Sequence, residues 1–211
     1  MEEEQGYLFS NQMLRKLIVP LIIEQILAVT VGMVDTMMVS SAGEAATSGV
    51  SLVDMINNLI INVFAAVATG GAVVASQYLG QRRREKACEA ADQLVLVTAL
   101  ISAVMMAAAI VFRRGLLETI YHGIEPDVME NALIYLVISA LSYPFLAVYN
   151  SCAALFRSMG NSRISMQASI VMNTLNIIGD YILIFHFHMG VAGAALATLA
   201  CRMVACVILN V

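Results

Sequence analysis

Residues 59–79 read LIINVFAAVATGGAVVASQYL, twenty-one positions without a single Lys, Arg, Asp or Glu. A helix rises about 1.5 Å per residue, so this stretch covers about 30 Å, the thickness of the hydrocarbon core of a bilayer. No water is available there to satisfy an open backbone, so the stretch must be helical. Five further apolar runs of similar length surround it. The spans fall at about 17–39, 50–79, 93–112, 128–156, 164–187 and 190–211. Composition agrees: 60% of the 211 residues are hydrophobic and 12% are charged, against about 25% charged in a water-soluble domain. The surplus apolar surface has to face lipid. The expected fold class is therefore all-α: a polytopic membrane protein with a short N-terminal segment, 1–16, followed by a six-helix transmembrane lobe, 17–211.

The basic residues orient the spans. Arg15, Lys16, Arg82, Arg83, Arg84, Lys86, Arg157 and Arg163 precede or connect spans on one side, whereas only Arg113 and Arg114 lie on the other. The positive-inside rule puts the first group in the cytoplasm, and with it both termini. The N-terminus, Met1 to Gln5, has no basic start of a secretory signal, so the first span is expected to remain in the protein. Residues 114–122 are expected to form a short interfacial helix on the outer side. The small residues Ala65, Ala68, Thr69, Gly70, Gly71, Ala72 and Ala75 of the second span suit close helix packing.

Several function classes lack support. There is no basic domain to bind nucleic acid. No Gly-rich phosphate loop, nucleophile elbow or HExxH motif suggests catalysis, and no cofactor is expected. The four cysteines, Cys88, Cys152, Cys201 and Cys206, form no CxxC pair and read as small hydrophobes. His122, His186 and His188 fall near the outer surface, and the two of the His-x-His pair diverge on a helix, so a surface role is expected.

The informative residues are the polar ones inside the spans, because an acid in a membrane helix needs a partner or a task. Asp35 lies about 6 Å below the outer surface and Asp180 about 10 Å, with Thr198 at about 12 Å, by helical rise. Asn176 shares a face with Asp180, one turn away. Two carboxylates with amide and hydroxyl oxygens suit a hard cation such as Na⁺. Two neighbouring anions cannot both ionise cheaply, so they suit a proton equally. The alternative is a polar network that only ties helices together. Asp54 with Asn57, Asn58 and Asn62 makes a polar stripe that lines a cleft or solvates a helix end. Glu24 and Arg202 fall at similar depths from the cytoplasmic face and are expected to form a structural ion pair, or Arg202 to snorkel inward.

Five segments, in order along the chain, resemble the multidrug and toxic compound extrusion (MATE) transporters. They are Val34-Asp35-Thr36, Ala75 to Gln81 (ASQYLGQ), Phe156 to Arg163 (FRSMGNSR), Asn173 to Asp180 (NTLNIIGD) and Gly190 to Thr198 (GVAGAALAT). The resemblance implies one of two six-helix lobes around a central cleft, and export of organic, often cationic, compounds in exchange for Na⁺ or H⁺ across the cytoplasmic membrane. It implies a cation site at Asp35, Asn176, Asp180 and Thr198, with Tyr135, Asn150 and Asn173 as neighbours and Asp54 and Asn57 lining the cleft. Pro20 resembles a proline that bends the first helix in some members. The implied partners are a small-molecule substrate, membrane lipid and a C-terminal six-helix lobe. Two rivals are a lipid-linked precursor flippase of the same superfamily, which would want a more cationic, lipid-sized cleft, and a non-transporting membrane scaffold, in which Asp35 and Asp180 would tolerate Ala.

Overall fold

Apolar runs of this length can satisfy their backbone in lipid only as helices, and helices are what they form. The computed structural model describes residues 11–210; residues 1–10 and Val211, and so most of the segment 1–16, lie outside the described residues. The helices are α1 (Asn11–Ser40), α2 (Glu44–Gly80), α3 (Arg84–Val111), α4 (Arg113–Ile120), α5 (Pro126–Leu141), α6 (Tyr143–Ser158), α7 (Ser162–Asp180) and α8 (Gly190–Asn210). A π-helical turn, Tyr181–His186, extends α7. Five of these (α1, α2, α3, α7 with its π turn, and α8) are long and apolar enough to span a membrane. The described residues contain no strand.

The expected fourth span, 128–156, is not one straight helix. It is α5 and α6, bent by 47° at Ser142. The cause is Pro144, in the first turn of α6. Its ring nitrogen cannot donate to the carbonyl of Ala140, and the ring crowds that carbonyl. Ser142 closes the break: its N–H and its hydroxyl both donate to the carbonyl of Ser139, at 3.0 and 2.6 Å. Pro20, by contrast, leaves α1 one continuous helix over Asn11–Ser40. The basic cluster between the second and third spans is less a loop than a helix end. Only Gln81 to Arg83 separate α2 from α3, with Arg82 in the left-handed region at φ 60°.

Two buried layers hold the helices together. One layer gathers Val39, Val53, Leu117, Leu136 and Ala194, and includes α4, which lies at the chain position of the expected interfacial helix. The other gathers Phe64, Ala140, Tyr143, Ala147 and Ala205, with the Phe64 and Tyr143 rings edge to face at 6.1 Å. α2 packs on α3, α5 and α6, while α1 packs chiefly on α7. α1 and α2 therefore diverge, leaving a cavity between them. Large apolar side chains such as Ile26, Met37, Leu59, Val104 and Val207 point outward, as lipid contact requires.

The small residues divide into two classes. Ala68, Ala72 and Ala75 are buried. Gly49 is where backbones meet: a Cβ there would sit 2.9 Å from the Ala132 nitrogen and 3.0 Å from the Val128 carbonyl oxygen on α5. Gly70 has nothing within 4 Å. Gly49→Leu is expected to destabilise the lobe by about 1–3 kcal/mol through overpacking, read as a lower thermal midpoint of detergent-solubilised protein. Gly70→Ala should hold or raise the midpoint, by up to about 1 kcal/mol of helix propensity. Equal midpoints for Gly49→Leu and wild type would contradict the close α2–α5 approach.

Candidate functional site

The cavity between α1 and α2 has a volume of about 660 Å³. Its walls come from α1, α2, α5, α6, α7 and α8, and they carry the polar residues that lipid would not tolerate. Glu24 and Arg157 stand towards one end; Asp35, Asp54, Asn57, Tyr135, Asn176 and Thr198 also line it. Asn58 and Asn62 complete the α2 stripe and line the same space, so the stripe faces a cleft rather than capping a solvated helix end.

The four residues expected to form a cation site converge from three helices. Asp35 lies near the C-terminal end of α1, and Asp180 is the last residue of α7 before the π turn. Their carboxyl groups are close enough to act on each other electrostatically. Asn176 Nδ2 donates to Thr198 Oγ1 at 3.4 Å, joining α7 to α8. The two helices approach closely at Gly179, where a Cβ would lie 2.9 Å from that of Ala197. Asp180 is 1% exposed, and it sits behind the cavity wall rather than on it. Both of its carboxylate oxygens, and Oδ1 of Asp35, are buried with no hydrogen-bond donor among the described residues.

That last fact limits the chemistry. A buried carboxylate without a donor is costly. The oxygens that these four residues carry are hard donors of the kind that Na⁺ takes. One proton shared between the two acids would equally relieve their repulsion. Among the described residues no group of three or more His, Cys, Asp or Glu is arranged to hold a metal ion, and the site's third and fourth members are an amide and a hydroxyl.

The neighbours divide. Tyr135 is buried on α5, close to Asp54 of the neighbouring α2. Asn57 is also beside Asp54, and its Oδ1 accepts from the Tyr143 hydroxyl at 2.8 Å. Asn150 lines the cavity with a buried, unpartnered Nδ2. Asn173 lines it too, but its Nδ2 donates to Ser169 Oγ at 3.2 Å on its own helix. All four cysteines are free thiols. His186 closes the π turn and His188 adopts φ 53° beyond it.

The expected Glu24–Arg202 ion pair is not formed. Glu24 Oε1 pairs instead with Arg157 Nη1 at 3.6 Å, and Ser165 Oγ donates to Glu24 Oε2 at 3.4 Å. Arg202 Nη1 donates to Ser142 Oγ at 2.6 Å, at the α5–α6 bend. Similar depth put Glu24 and Arg202 at one level but could not tell which way each faced around its helix. Arg157, expected in the connection after the fourth span, lies in the last turn of α6 and lines the cavity. One available signal was spacing: Arg202 follows Thr198 by four residues, which stacks the two on one face.

The MatE family profile matches residues 20–182. An uncharacterized transporter, YisQ, of Bacillus subtilis is 32% identical over 190 residues, covering 88% of this chain and 41% of that protein. The multidrug export protein MepA of Staphylococcus saprophyticus is 29% identical, covering 97% and 46%. A solved MOP superfamily transporter from Pyrococcus furiosus superposes with a TM-score of 0.89 at 22% identity, over 94% of this chain and 44% of that one. The chain thus spans less than half the length of the relatives it matches.

A double-mutant cycle in thermal stability should give coupling between Glu24 and Arg157 of roughly 1 kcal/mol and none between Glu24 and Arg202. Coupling in the second pair, without it in the first, would reverse the assignment.

Proposed function

Because the chain belongs to the MatE family, we propose that it is the N-terminal lobe of a cation-coupled antiporter. The antiporter exports organic, often cationic, compounds across the cytoplasmic membrane in exchange for Na⁺ or H⁺ and works with a second six-helix lobe. Both termini are cytoplasmic in this reading. The lobe acts as a transporter, without a cofactor or a chemical step.

One observation carries the reading: the buried carboxylates of Asp35 and Asp180 have three oxygens without a donor. A cation from outside satisfies them. Asp35 is on α1, Asp180 and Asn176 on α7 and Thr198 on α8, so occupancy tightens the packing of three helices at once. An ion drives export only if it and the compound prefer different states of the transporter. Occupancy of the oxygen set favours the state that releases the compound outward, and the compound favours the other. The cavity supplies the compound's half-site, with Asp54, Asn57, Asn58 and Asn62 on its α2 wall. A second lobe completes it.

Titration calorimetry on the purified chain tests this. Wild type is expected to bind Na⁺, and Asp180→Asn to lose that binding. Protonation removes the negative charge that Na⁺ needs, so Na⁺ affinity should fall as pH is lowered. If the coupling ion is H⁺, the Na⁺ signal is absent and proton uptake is lost in Asp180→Asn. In the two-lobed protein Asp35→Asn should abolish coupled export. Full drug resistance from that variant, or a folded two-lobed protein that binds neither ion, would overturn the reading.

A further inference from the structure

The cleft contains two arginines, and only one is neutralised by a carboxylate. Arg157 is paired with Glu24. Arg202 lines the same cavity as Asp35 and Asp54, near enough to act on both carboxylates electrostatically. Yet it forms no ion pair within 4.0 Å among the described residues. An arginine stays charged in any protein environment, and a lone cation at this depth is expensive unless something holds it. What holds it is Ser142. Its hydroxyl proton is spent on the Ser139 carbonyl at 2.6 Å, which leaves the oxygen lone pairs to accept from Arg202 Nη1, also at 2.6 Å. Ser142 is fully buried, at the one point where Pro144 breaks the α5–α6 span. The bend thus provides a fixed dock that keeps the guanidinium close to the acids without joining them.

We propose that Arg202 is a resident cation of the cleft that competes electrostatically with the coupling cation at Asp35 and Asp180, and that Ser142 sets the strength of this competition by docking the guanidinium at the α5–α6 bend. The proposal rests on the cation-coupled reading above. Arg202 touches neither acid, so it acts as a positioning charge and not as a ligand. With the guanidinium docked, the acids are left open to an incoming ion. When it leaves Ser142 it is free to approach the acids and close them. A role confined to tying α8 to the bend would change stability but not cation affinity.

A unit charge acting over about 8–10 Å at an effective dielectric of about 20 changes a cation's affinity roughly twentyfold. Calorimetry on the purified chain should therefore find that Arg202→Gln binds whichever cation wild type takes up, Na⁺ or H⁺, roughly twentyfold more tightly. Arg202→Lys, which keeps the charge, should stay near wild type. Ser142→Ala, which releases the guanidinium, should bind several-fold more weakly. This last variant also serves if Arg202→Gln fails to fold. Unchanged or weaker binding in folded Arg202→Gln, tightening in Arg202→Lys equal to that in Arg202→Gln, or unchanged or tighter binding in Ser142→Ala would each overturn the proposal. Wild type that binds no cation while properly folded would instead count against the cation-coupled reading itself, so the two failures are distinguishable.

Discussion

A carboxylate at 1% exposure with no donor to either oxygen is the constraint around which this lobe is arranged. Lipid on the outside disfavours an outward-turned Asp180, and α7 and α8 approach closely beside it at Gly179 and Ala197. The remaining relief lies towards the cavity, where Asp35 of α1 meets it. This explains why α1 packs along α7 rather than along α2, and why a cavity opens between α1 and α2. The π turn begins one residue after Asp180, a change of helical pitch of the kind often found at functional sites.

The charges along the cleft are unequal from end to end. At one end Glu24 meets Arg157 and Ser165, joining α1 to α6 and α7. Further along are Asp35 and Asp54, with Asp180 behind the wall and Arg202 the only fixed positive charge among the described residues lining that part of the cavity. That part of the cavity is net acidic, whereas the charges at the Glu24 end are paired. The asymmetry gives the cleft a direction without any moving part.

The sequence made the membrane architecture legible because the length and apolarity of a span are nearly sufficient for it. Residues 59–79 could hardly be anything but a crossing helix. The four-residue spacing of Asn176 and Asp180, and the similar depths of Asp180 and Thr198, likewise singled out these candidate residues in the sequence. What stayed hidden were features that hydropathy averages away. Pro144 sits in an apolar run and does not interrupt it, yet it bends the span by 47°. Depth along a helix is readable from rise per residue, but direction around it depends on which neighbour the helix packs against. Glu24 and Arg202 therefore share a level without facing each other. Arg157 looked like a loop residue because span ends are blurred by several positions, and a long side chain can reach back across that blur.

Under the proposed function, the division of labour between lobes follows from which groups are already satisfied. The oxygen set of Asp35, Asn176, Asp180 and Thr198 is assembled wholly from α1, α7 and α8 of one chain, so nothing from a second lobe is needed to form it. The α2 wall is different: Asn58 and Asn62 are exposed on the open side of the cavity. A cleft with one finished wall can hold part of a compound but cannot enclose it. Ion binding is thus internal to the lobe, and compound binding belongs to the gap between lobes. α1 is the element common to both, since it carries Asp35 to the acids and forms the cleft wall opposite α2. A shift of α1 on ion binding changes the width of the cleft at the same moment, which is the differential coupling that exchange transport requires.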